Sequence, residues 1–131
     1  MKYLVDSDYV ADYLRGREHA LPLFQRLLAE GISISIITFA EVYEGVYYGH
    51  NRSRHEQGWR VFLKTAPVLG ITRLIAKQYA LLHGELGRKG QLIDQPDLFI
   101  AATAMYHNLT LVTRNLRDYD RIPGLKLYKA S

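Results

Sequence analysis

A chain of 131 residues with 48% hydrophobic and 23% charged side chains has the make-up of one globular domain. It contains no cysteine, which excludes disulfides, thiolate metal sites and thiol nucleophiles. The net charge of +4 lies wholly in residues 66–131, since the first 65 residues carry eight basic and eight acidic side chains; this small basic excess points toward an anionic partner such as nucleic acid.

No stretch approaches the ~20 apolar residues of a membrane helix. The longest apolar run, 32–40, is interrupted by Ser33 and Ser35. The run after Lys2 is too short for a signal peptide, so a cytoplasmic protein is expected.

Residues 2–5 read as a short buried strand that stops at Asp6. Residues 8–15 place apolar side chains at 9, 10, 13 and 14, a helical spacing, with Gly16 as the cap. Residues 20–30 repeat the pattern through Leu21, Phe24, Leu27 and Leu28, and Gly31 ends that helix. Residues 32–37 form the clearest strand. Thr38 opens a helix to Tyr48, with Thr38 and Glu41 at capping-box spacing. A polar break at 51–53 precedes a helix around 56–64 and a further strand over 68–71. Residues 73–88 make an amphipathic helix, with Leu74, Ile75, Tyr79, Leu82 and Leu86 in phase. A basic loop at 87–91 leads to a helix from Asp97 to about His107. A strand at 109–113, a helical turn at 115–120 and a last strand at 125–128 complete the chain. Strands that alternate with helices predict an α/β fold: a parallel sheet of four to five short strands with helices on both faces, one domain over residues 1–131.

In such a sheet, sites form beyond the carboxyl ends of the strands. Asp6 follows the first strand, and Glu41 lies early in the helix after the second. Asp97 opens a later helix, and Asp118 follows the strand 109–113 by one turn. Clustered carboxylates repel one another unless a cation neutralises them. Hard oxygen ligands without Cys or paired His select Mg²⁺ or Mn²⁺. Such a cluster suits hydrolysis of a phosphodiester by an activated water. Each acid also has an ordinary reading: Asp6 as a turn residue, Glu41 as part of a capping box, Asp97 as a helix-dipole partner capped by Asp94, and Asp118 as a solvated acid beside arginines.

The segments Tyr3-Leu4-Val5-Asp6-Ser7-Asp8, Thr38-Phe39-Ala40-Glu41-Val42-Tyr43-Glu44-Gly45, Asp97-Leu98-Phe99-Ile100-Ala101-Ala102-Thr103-Ala104 and Leu111-Val112-Thr113-Arg114-Asn115 resemble, in order, the motifs of PIN-domain ribonucleases. The resemblance is closest to the VapC toxins of type II toxin–antitoxin pairs, and it extends to Ile122-Pro123-Gly124-Leu125. It implies a Mg²⁺- or Mn²⁺-dependent endoribonuclease with Asp6, Glu41 and Asp97 as metal-site acids and Ser7 as an orienting hydroxyl. Some family members carry the fourth acid where this chain has Asn115, others where it has Asp118, so that position stays open between the two. Thr113 and Asn115 are expected to hold a carboxylate or phosphate by hydrogen bonds. Arg114, with Arg117, Arg121, Arg88 and Lys89, is expected to grip RNA. The resemblance also implies a VapB-type antitoxin, a homodimer, and contact with DNA only through that antitoxin.

The five histidines form no zinc or metalloprotease motif, and no Walker-type loop is present, so no nucleotide cofactor is expected. His50 and His55 fall at the polar break, as surface residues within reach of RNA. The ten tyrosines are expected mainly in the core or at an interface. Two rival functions remain. One is a small phosphatase of the haloacid-dehalogenase type using Asp6 and Asp8, and the other a PIN-like module that binds antitoxin and nucleic acid without cutting.

Overall fold

Side-chain alternation along the first strand, β1 (Tyr3–Val5), builds two layers at once. Tyr3 and Val5 enter one hydrophobic cluster, and Leu4 enters another. The computed structural model describes residues 1–129. In it, β1 pairs in parallel with β2 (Ile32–Ser35) on one side and β4 (Thr110–Val112) on the other, while β3 (Val68–Leu69) flanks β2. The order is β3-β2-β1-β4. The chain therefore winds outward from β1 in one direction and later returns to its opposite side. That reversal opens a crevice beyond the carboxyl ends of β1 and β4.

On one face, Val10 of α1 (Ser7–Leu14), Phe24 of α2 (Ala20–Glu30), Val46 of α3 (Ile36–Tyr48) and Trp59 of α4 (Arg52–Leu63) pack over Ile32 and Ile34. On the other face, α5 (Arg73–Arg88), α6 (Gln95–Tyr106) and the short α7 (Leu116–Tyr119) bury Ile75, Leu98 and Tyr119 against Leu4 and Leu111. Covering both faces is what permits β1 to be buried throughout. Among the described residues, no helix is long and apolar enough to cross a membrane.

Several boundaries differ from the sequence reading: the helix expected around 56–64 starts at Arg52, the strand expected over 68–71 is Val68–Leu69, and the helix expected from Asp97 starts at Gln95; three further differences involve named contacts. The second strand ends at Ser35 rather than at 37, because the Ser35 hydroxyl accepts from the Ile37 amide at 3.1 Å and starts α3 there. Thr38 is therefore a buried residue inside the helix, not a cap, and Glu41 is released from the capping box. Similarly, α1 begins at Ser7, since the Asp6 carboxylate accepts from the Ser7 amide at 2.8 Å. The strand expected at 125–128 is reduced to a single parallel bridge between Leu127 and Leu111.

Candidate active site

Asp6 stands at the crevice because β1 stops there, with its amide still donating to the Val112 carbonyl of β4. Its side chain is almost fully buried. One oxygen caps α1, and the other accepts from the Thr113 hydroxyl at 2.7 Å. Thr113 is itself fixed by accepting from the Asn115 amide at 3.0 Å. Burial, followed by the nearby Asp8 charge, pushes the Asp6 carboxyl up to about 7 despite these two hydrogen bonds.

Ser7, the next residue, turns its hydroxyl toward α3. It donates to Glu41 at 2.6 Å and lies 3.1 Å from the Thr38 hydroxyl. Residues 31 and 34 positions apart are thus joined across the sheet edge, and the Ser7–Glu41 pair closes one wall of the crevice. Asp97 enters from the first turn of α6, half-buried. Burial raises its pKa, and the Glu41 and Asp94 charges raise it further. The Asp94 side chain makes no capping hydrogen bond, so that role, considered from sequence, is absent.

The fourth-acid position resolves into two different arrangements. Asp118 accepts from the Asn115 side-chain amide at 3.2 Å and pairs with Arg121 at 3.6 Å. Its carboxylate is engaged with its own turn, although its charge still reaches Asp97. Asp8 fills the nearer place: it accepts from the Tyr9 and Arg114 amides at 2.6 and 3.0 Å and lies 3.4 Å from the Thr113 hydroxyl. The Arg114 guanidinium reaches Asp12 at 3.4 Å and Asp8 at 4.0 Å. Arg114 and Arg121, two of the arginines expected to hold RNA, are thus tied to acids of the protein itself.

Tyr119 is the residue that sequence reasoning missed. Its ring is fully buried, and among the described residues its hydroxyl has no partner in good hydrogen-bond geometry, although it lies near enough to Asp6 and Asp97 to act on both. Burial and the Asp6 and Asp97 carboxylates drive its pKa far upward, so the hydroxyl keeps its proton beside those acids. Tyr119 lies in a charged stretch between Asp118 and Asp120 and was read with the other tyrosines as core or interface, and no spacing rule marks its hydroxyl. Asp8 had a visible signal, two positions beyond Asp6, but was considered only for the phosphatase reading.

The donor set is all oxygen: buried or half-buried carboxylates that oppose each other's ionisation, with hydroxyls between them. That chemistry fits a hard divalent cation. Among the described residues, no three acidic or imidazole side chains converge closely enough to cage an ion unaided.

The comparisons with known proteins agree with this architecture. The PIN domain family model matches residues 3–125. The chain belongs to the PIN-domain family. Within it, the VapC proteins are its relatives. Ribonuclease VapC2 of Rickettsia felis is 34% identical over 97% of this chain and 96% of its own length. Ribonuclease VapC1 of Methanocaldococcus jannaschii is 32% identical over 97% of this chain and 87% of its own length. Among solved structures, VapBC2 from Rickettsia felis bound to a promoter DNA fragment superposes with a TM-score of 0.91 at 27% identity, covering 100% of both chains. Membership of this PIN family leaves the haloacid-dehalogenase reading of Asp6 and Asp8 without support.

Proposed function

We propose that this PIN domain is a Mg²⁺- or Mn²⁺-dependent endoribonuclease, the toxin of a toxin–antitoxin pair. The observation that carries the reading is the crowding of Asp6, Glu41 and Asp97 at the one sheet edge where β1 and β4 diverge. The ribonuclease names of its relatives support the activity. Asp6 and Asp97 would hold the cation directly, with Glu41 binding it or a coordinated water. When bound, the cation would supply charge neutralisation and an acidified water for attack at phosphorus.

The protein's own groups prepare that site. Thr113 aims Asp6 by donating to one of its oxygens, and Ser7 aims Glu41 in the same manner. Asn115 steadies Thr113 through its backbone amide, and Arg114 holds Asp8 aside. Tyr119 offers a protonated donor between Asp6 and Asp97 that steadies whichever carboxylate turns toward it.

The neighbouring VapBC assembly supports a VapB-type antitoxin as partner, with any DNA contact made through it. A homodimer is proposed with it. The deciding experiment is cleavage of total cellular RNA by antitoxin-free protein with Mg²⁺, with Mn²⁺ and with chelator, beside Asp97→Asn. Discrete fragments that need the metal and vanish in the variant are expected. Intact RNA in every lane, from protein shown to be folded, would overturn the nuclease reading in favour of a binding module.

A further inference from the structure

Asp12 carries its charge where charged side chains are seldom found. Its side chain is only 6% exposed, and it lies on α1 one turn beyond Asp8. Two carboxylates at that spacing repel each other. A carboxylate held so far from water is costly unless cations or hydrogen bonds complete it. Asp12 also lies six residues past Asp6, about 9 Å of axial rise, which sets it apart from the acid site.

Its main partner comes from the other end of the chain. The Arg114 guanidinium lies 3.4 Å from Asp12 Oδ2 and 4.0 Å from Asp8 Oδ2, so one cation serves both acids of α1. The His19 ring nitrogen lies 3.0 Å from the same Asp12 oxygen, on the approach to α2. Half of the Arg114 side chain is in water, yet its charged end is directed at a buried carboxylate. Arg114 is the middle residue of the three that join β4 to α7, and all three are engaged. Before it, the Thr113 hydroxyl donates to Asp6 at 2.7 Å. Its own amide donates to Asp8 at 3.0 Å. After it, the Asn115 amide donates to the Thr113 hydroxyl at 3.0 Å. So short a loop has little slack, and a displaced guanidinium moves the hydroxyl that aims Asp6.

We propose that Asp12 is a positioning residue of the nuclease centre: it anchors Arg114 and thereby holds the loop 113–115 against Asp6 and Asp8. The inference rests on the ribonuclease reading and deepens it. Cutting the anchor leaves every proposed metal ligand in place in the sequence, so the effect falls on how well those ligands are aimed. Partners that touch a ligand directly are worth about 10–100-fold in metal affinity or activity. Asp12 acts one link further away, and the lower end of that range is expected.

The test measures kcat and KM on an RNA oligonucleotide spanning a cut site mapped from total RNA. Mn²⁺ affinity is measured beside it, without RNA, by water-proton relaxation. Asp12→Asn and Arg114→Gln should each lower kcat about tenfold and weaken Mn²⁺ binding about fivefold, with KM changed by less than about twofold. The double variant should be no worse than the worse single one, because it cuts one link twice. Arg114→Lys, which keeps a cation, should stay within about threefold of the parent. His19→Ala should cleave like the parent. Losses that multiply in the double variant would overturn the proposal, as would parental kcat and Mn²⁺ affinity in Arg114→Gln, an exposed change that decides the matter even where Asp12→Asn fails to fold. A KM that falls in Asp12→Asn and rises in Arg114→Gln would also overturn it, by making the guanidinium a hold on RNA. Equal losses in His19→Ala and Asp12→Asn would assign Asp12 to the α1–α2 turn instead. A parent that binds Mn²⁺ but cleaves no RNA sinks the ribonuclease reading and leaves the anchor to be judged on the Mn²⁺ affinities. A parent that does neither sinks both.

Discussion

The two ends of β1 are built on opposite electrostatic rules. At its start, Lys2 donates to Glu30 at 3.0 Å, and the Tyr3 hydroxyl donates to the same carboxylate at 2.8 Å. The Glu30 pKa falls through these hydrogen bonds, and that of Lys2 rises, so each charge favours the other. At its other end, three residues on, Asp6 is buried among acids, and its pKa is pushed up to about 7. One strand thus joins an edge where opposite charges pair to an edge where like charges crowd. Buried carboxylates that raise one another's pKa gather at functional sites, which is why the carboxyl edge is read as the working one.

The sharpest way to break that contrast is to neutralise the carboxyl edge. Asp97→Asn and Asp6→Asn are each expected to lower RNA cleavage roughly 10³-fold, because each removes a ligand of the group that stabilises charge in the transition state. Retained cleavage in either would show that the crowded acids are not the reacting centre. Folding of both variants is checked by circular dichroism, and neither should unfold.

The pH dependence of stability comes next. The Asp6 pKa is about 7 in the folded chain and 3.8 as its ordinary value. The folded form therefore binds the extra proton, so in chelator its stability is full below about pH 4 and falls as pH rises to 7. The integrated loss is on the order of 4 kcal/mol. Asp97 shifts in the same direction and adds to the slope. Urea melts from pH 5 to 8 should show the decline, Asp6→Asn should flatten most of it, and Mg²⁺ at pH 8 should restore the parent. A parent that gains stability over this window in chelator would remove the claim of like-charge crowding.

A finer probe is Tyr119→Phe. Among the described residues the hydroxyl has no partner in good hydrogen-bond geometry, so its removal should leave the metal-free protein as stable as the parent or up to about 1 kcal/mol more stable. Cleavage should fall only several-fold, through loosened carboxylates. A large stability loss would mean that the hydroxyl is paired after all.

The smallest effect belongs to the other end. Lys2→Ala should leave both cleavage and the urea midpoint within experimental scatter, because an exposed ion pair is screened by water and salt. If it matched Asp6→Asn in effect, the contrast between the two ends of β1 would collapse.

The sequence alone determined a great deal. β-branched and apolar runs of three to six residues, separated by amphipathic periods, can satisfy their backbones only as strands alternating with helices. Asp6 and Asp97 stood out as candidates because each lies where a parallel sheet places its site, although capping and the helix dipole alone could also account for an acid there. Glu41 was ambiguous for a definite reason: its spacing from Thr38 also makes a capping box, and only the position of the Ser35 hydroxyl removes that alternative. The strand at 125–128 was overread, since alternation marks what is able to pair, while a ladder also needs a neighbour along its length.

Tertiary structure decided which polar groups meet. Nothing local ties Ser7 to Glu41, Thr113 to Asp6, or Arg114 to Asp12; the placement of β4 beside β1 brings the last two pairs together across more than 100 residues. It also set Asp8, which the sequence reading used only for the phosphatase alternative, against Thr113 and Arg114, and turned Asp118 onto Asn115 and Arg121. Periodicity reports which face of an element is buried, but not what is buried beside it, so Tyr119 read as core until packing set its hydroxyl against the acids.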